Sequence, residues 1–95
     1  MAQKTAGFDE ESIKELPNNR PVVYRILNKR GENVYTGTAQ RGRVQDRIRE
    51  HLPGGKDSVP GTKVRIEQMG SIDEARRREQ GVIARSKPRY NKQGK

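Results

Sequence analysis

The chain has 95 residues, a net charge of +9 with 21 Lys+Arg, no cysteine and only 28% hydrophobic residues. That suffices for one small domain with a thin core, and it excludes disulfides and thiolate metal sites. No run approaches a membrane span and Met1-Ala2-Gln3-Lys4-Thr5 opens no signal peptide, so no membrane partner is expected, whereas a polyanion, most often nucleic acid, is.

Residues 1–7 are expected to fray. Phe8 to Leu16 reads as a short helix with Asp9 as N-cap and Glu10 and Glu11 in its first turn. Pro17 and Pro21 break it. Val22 to Leu27 is a β-branched and aromatic run, hence a strand. Asn28 to Asn33 reads as a hairpin loop, and Val34-Tyr35-Thr36 as the returning strand, stopped by Gly37.

Gln40 to Leu52 reads as a second helix with Val44, Ile48 and Leu52 as its apolar stripe. Arg47 and His51, four residues apart, lie beside that stripe. Residues 53–62 form a loop by composition. Lys63 to Met69 reads as a third strand. Ser71 and Glu74 form a capping box that opens a last helix over Ser71–Ser86, and Lys87-Pro88 ends it. Gly81 inside that helix suggests a close approach there. The order α-β-β-α-β-α defines an α/β (α+β) fold, a small three-stranded antiparallel sheet flanked by helices. Residues 1–20 are read as a tail and short helix, 21–91 as the domain and 92–95 as a basic tail.

Glu79 is the acid whose position solvation does not explain. At 100° per residue, Ile72, Ala75, Val82 and Ile83 share one helix face and Glu79 falls within it, while Arg77, Arg78 and Arg85 point elsewhere. Such a carboxylate pairs with an arginine or binds a metal. The other acids are expected at caps, on outward helix faces or in loops. A single histidine, His51, excludes nucleases built on paired histidines, and no lysine has an acid two residues before it. No phosphate-binding glycine loop of the Walker type is present.

Read together, these residues resemble the GIY-YIG nuclease superfamily. Val22-Val23-Tyr24 stands where that family has Gly-Ile-Tyr, and Tyr35-Thr36-Gly37 where it has Tyr-Ile-Gly. Arg47 resembles the family's helix arginine, with Arg43 and Arg49 as alternatives in register. His51 resembles the His or Tyr one turn later, and Glu79 the metal-binding glutamate. Pro88-Arg89-Tyr90-Asn91 resembles the closing motif of the nuclease domain in the bacterial excinuclease. The resemblance implies a metal-dependent endonuclease acting on nucleic acid, DNA being expected, with Mg²⁺ or Mn²⁺ on Glu79. Its implied site is Tyr24, Tyr35, Arg47, His51, Glu79 and Asn91, with Tyr35 orienting or deprotonating the water. Lys56, Lys63, Lys87, Arg89 and Lys92 would contact phosphates without reading sequence, so a protein partner supplying specificity is expected. A cytoplasmic location fits. The competing reading is a noncatalytic basic nucleic-acid-binding protein.

Overall fold

The computed structural model describes residues 3–91. Seven elements follow in chain order: β1 (Gln3–Gly7), α1 (Glu10–Ile13), β2 (Val22–Leu27), β3 (Asn33–Ala39), α2 (Val44–Arg49), β4 (Lys63–Gln68) and α3 (Ile72–Ser86). The strands form one antiparallel sheet in the order β1-β4-β2-β3. The sheet thus has four strands rather than three. The added strand comes from the segment expected to fray, which pairs along β4 from Gln3 opposite Glu67 to Gly7 opposite Lys63. Its sequence, Gln-Lys-Thr-Ala-Gly, carries no apolar alternation. The edge of β4 templates it.

Helices cover both faces of the sheet. On one face Ile13 and Leu16, with Val44 and Ile48 of α2, bury Val22, Tyr24, Ile26, Val64 and Ile66. On the other, Ala75 and Ile72 of α3 close over Val23 and Met69. No helix of the described residues is long and apolar enough to cross a membrane.

The helix ends show how local chemistry sets these positions. The Asp9 carboxylate accepts from Ser12 N at 2.8 Å and opens α1. Ser71 Oγ accepts from Glu74 N, and the Glu74 carboxylate accepts in return from Gly70 N at 2.9 Å. α2 is shorter than its apolar stripe suggests. Gly42, at φ +84, turns the chain just before it, and the cap comes from outside: Asn18 Oδ1 accepts from Val44 N at 2.8 Å. Gly81 meets no close neighbour, since a Cβ built there finds open space.

Candidate active site

β2 and β3 pair so that Tyr24 faces Gly37. The tyrosine ring folds over that glycine: a Cβ at position 37 would lie 2.6 Å from the Tyr24 hydroxyl oxygen. Tyr24 is fully buried, Tyr35 half-buried, and both rings meet the imidazole of His51, which is also buried. Ring centres are 6.1 Å apart for Tyr24 and Tyr35, 5.6 Å for Tyr24 and His51, and 4.4 Å for Tyr35 and His51.

The hydrogen bonds assign the protons within this cluster. His51 Nδ1 lies 2.9 Å from the backbone carbonyl of Asp57, and Nε2 lies 2.8 Å from the Tyr24 hydroxyl. A carbonyl only accepts, so Nδ1 carries the imidazole proton. Burial holds the His51 pKa below its ordinary value and keeps the ring neutral. Nε2 is then an acceptor, and Tyr24 donates to it. Burial pushes Tyr24 well above the ordinary phenol value. It also raises Tyr35, with the Glu79 charge adding to the rise and Arg47 opposing it. Tyr35 is therefore not an activated base in the metal-free protein.

Glu79 lies partly buried on α3. Burial raises its carboxyl pKa, while Arg76 and Arg47 draw it down. No cation among the described residues comes within 4.0 Å of its carboxylate, so the ion-pair alternative is not realised. The pairing occurs at another acid. Glu67 of β4, only 4% exposed, holds Arg78 Nε at 3.2 Å and Arg25 at 3.9 Å. This corrects two expectations, since a buried acid exists on a strand and Arg78 reaches inward. The alternation of Lys63–Gln68 puts Glu67 opposite Ile66, on a face that only the packing of α3 buries.

The three candidate helix arginines differ in their neighbours among the described residues. Arg49 is committed to α1 through Glu10 at 2.6 Å and to Asp46 at 3.3 Å. Arg43 approaches only Asp46, at 3.9 Å. Arg47 holds Glu50 loosely at 3.7 Å with its side chain 46% exposed. It acts on the pKa of Tyr24, Tyr35, His51 and Glu79 alike. Beside it, Arg43 and Arg76 line a pocket of about 280 Å³, a grouping that sequence spacing did not reveal.

Asn91 lies at the sheet edge. Its Oδ1 accepts from Thr36 N and its Nδ2 donates to Thr36 O, both at 2.8 Å. Tyr90 N donates to Val34 O at 2.9 Å alongside. Asn91 therefore grips the backbone between Tyr35 and Gly37. Of the basic residues expected at nucleic acid, Lys87 and Arg89 flank one broad groove of about 790 Å³ with Lys29 and Arg30 of the hairpin. Lys56 and Lys63 are exposed but do not line it. Lys92 lies outside the described residues.

A tyrosine hairpin, an arginine helix and a glutamate helix packed on one antiparallel sheet are the architecture of an endonuclease domain. The GIY-YIG catalytic domain profile matches residues 20–92, and the chain belongs to that family. The fold superposes on the crystal structure of the GIY-YIG N-terminal endonuclease domain of UvrC from Thermotoga maritima, bound to its catalytic divalent cation, magnesium. The TM-score is 0.71 at 27% identity, covering 85% of this chain and 92% of that one. Among curated proteins, the chain is 33% identical over 89 residues to UvrABC system protein C of Carboxydothermus hydrogenoformans, covering 85% of this chain. It is 30% identical over 100 residues to that of Francisella philomiragia, covering 96% of this chain. It spans 14% and 16% of those relatives' lengths.

Proposed function

We propose that this GIY-YIG endonuclease domain hydrolyses phosphodiester bonds in DNA, with one Mg²⁺ or Mn²⁺ held by Glu79. The observation that carries the reading is the Glu79 carboxylate, partly buried and without an ion-pair partner among the described residues. No group of three or more His, Cys, Asp or Glu that could hold a metal exists among those residues, so a cage of several protein ligands does not fit. A single carboxylate does fit Mg²⁺, which keeps waters and takes substrate phosphate into its shell. A cation bound there supplies Lewis acidity toward the phosphate and its leaving oxygen.

The protein's own groups divide the remaining tasks. Arg47, permanently charged and half-exposed, stabilises negative charge growing on the phosphoryl oxygens. Tyr35, the more open phenol, orients the attacking water. A phenol held above its ordinary range stays protonated, whereas neutral His51 offers Nε2 as an acceptor, already engaged by the Tyr24 hydroxyl proton, which can pass to it as Tyr24 takes up another. His51 is thus the group suited to receive the water's proton, relayed through the Tyr24 hydroxyl. Asn91 keeps the strand that carries Tyr35 in place. The likeness to UvrABC system protein C supports a DNA repair role, and the magnesium-bound domain of the Thermotoga protein supports a divalent cation. We propose that a protein partner supplies specificity and that the domain acts in the cytoplasm.

The test is to incubate supercoiled plasmid, branched DNA and RNA with the protein and Mg²⁺ or Mn²⁺, beside EDTA and Glu79→Ala controls. Metal-dependent strand cleavage of DNA, lost in Glu79→Ala, is expected. Cleavage that survives Glu79→Ala would remove Glu79 from the site, and binding without cleavage by any metal would favour the noncatalytic reading. Glu79→Gln should leave the metal-free protein at least as stable as the parent at neutral pH. The raised carboxyl pKa means that ionised Glu79 disfavours the fold, a penalty that disappears as pH falls and the acid is protonated. Thermal unfolding with and without Mg²⁺ reads both effects.

A further inference from the structure

Arg78 and Glu79 are neighbours in sequence but lie on different flanks of α3. Arg85, seven residues beyond Arg78, returns to nearly the same helix direction, while Glu79 is turned 100° away. The Arg78 flank overlooks β2 and β4. There Arg25, Arg65, Arg78 and Arg85 line a pocket of about 300 Å³ to which no carboxylate side chain contributes among the described residues. Glu67 lies behind it and pins Arg25 and Arg78 at 3.9 and 3.2 Å. One carboxylate for four guanidiniums leaves the pocket strongly positive. Among the described residues the Arg65 side chain bonds a hydroxyl, Thr5 Oγ, at 3.3 Å, and no carboxylate.

Two polar atoms of residues lining this pocket are buried without a partner among the described residues, Arg25 Nε and Asn33 Oδ1. A buried donor left unpaired is costly, so Arg25 Nε marks where an acceptor belongs. Burial first, then the Arg78 charge, push the Arg25 pKa below its ordinary value. The charge of a bound anion would oppose this lowering. Guanidinium groups bind phosphate through paired N–H donors.

We propose that the pocket formed by Arg25, Arg65, Arg78 and Arg85 is a second phosphate site, which holds the backbone of nucleic acid outside the cleaved bond. This rests on the reading above that the ligand is nucleic acid. It makes α3 a ridge with cleavage on the Glu79 flank and anchoring on the Arg78 flank. A bent or branched substrate has an arm available for each flank.

The experiment measures binding with the metal chelated, so that it is read apart from cleavage. The full chain and the Arg65→Gln/Arg85→Gln variant are titrated by fluorescence anisotropy with labelled branched DNA over a range of salt. Arg25 and Arg78 are left intact because they hold Glu67. The variant should bind about tenfold more weakly, and its plot of log affinity against log salt should be flatter by roughly 2, one unit for each phosphate no longer neutralised. Arg85→Glu, at an exposed helix position, should weaken binding more than Arg85→Gln, with circular dichroism and thermal unfolding confirming an intact fold. Unchanged affinity and slope would overturn the proposal. So would inorganic phosphate stabilising the parent but not the variant while DNA affinity stays equal, which would assign the pocket to a free anion. Retained DNA affinity with lost binding of poly-glutamate would assign it to an acidic protein and overturn it equally. Failure of the nuclease reading would show separately, as DNA binding without cleavage when Mg²⁺ is restored.

Discussion

Asn91 holds Thr36 by both of its backbone polar groups, with two hydrogen bonds of 2.8 Å that span 55 residues of sequence. The carboxamide acts as one more peptide unit at the outer edge of β3. Because Thr36 separates Tyr35 from Gly37, this grip fixes the strand that presents the half-buried phenol.

Asn91→Ala should therefore act through position rather than chemistry. Losing two bonds at a part-buried site costs about 1–3 kcal/mol of stability. The amide of Thr36 should exchange with solvent markedly faster in hydrogen-exchange measurements, and DNA cleavage should fall with it. Cleavage falling while Thr36 stays protected would give Asn91 a direct role at the reacting atoms.

Gly37→Ala tests the neighbouring contact. The added methyl would lie 2.6 Å from the Tyr24 hydroxyl oxygen and 2.7 Å from Cζ, inside any allowed approach. Tyr24 is fully buried, so its ring can escape only by disturbing the core or leaving His51. A stability loss of about 1–3 kcal/mol is expected from overpacking, together with loss of cleavage. Thermal unfolding and plasmid nicking measure the two effects. An alanine that leaves both unchanged would contradict the packing of Tyr24 over Gly37.

The pH dependence follows from His51. Its folded pKa lies below the ordinary value of 6.5 because burial disfavours the charged ring. The unfolded chain therefore takes up the proton first as pH falls. The stability contributed by neutral His51 is complete above pH 6.5 and is lost as pH falls through the lower folded value. Protonation also removes the acceptor used by Tyr24, so the cleavage rate should fall along the same acid limb. As the chain has one histidine, a single imidazole signal in an NMR titration reports this pKa without overlap. A limb at or above pH 6.5 would contradict the assignment.

Periodicity and caps made most elements legible. Ser71 and Asp9 marked helix starts because their side chains cap within their own helices. The cap of α2 was hidden because Asn18 supplies it from a loop 26 residues away. For a similar reason Glu67 was not singled out, since its burial and its pairing with Arg78 come from α3, which covers its face of the sheet. Glu79 and His51 stood out in the sequence because one acid falls on an apolar helix face and the chain has one histidine. The proton arrangement of His51 was not legible, because it depends on the backbone carbonyl of Asp57 in a loop that composition alone describes.

β1 has a consequence for how separate molecules behave. By pairing along β4 it occupies N–H and C=O groups that the edge of five residues, Lys63 to Glu67, would otherwise offer to another chain. A short strand bearing Lys4 and ending at Gly7 is a poor template for further strand addition. Without it, the residues of the candidate site would remain in the chain, but β4 would become a longer open edge rich in β-branched side chains, suited to aggregation. Five residues remote from the tyrosines thereby guard the colloidal stability of a protein whose charge already favours solubility.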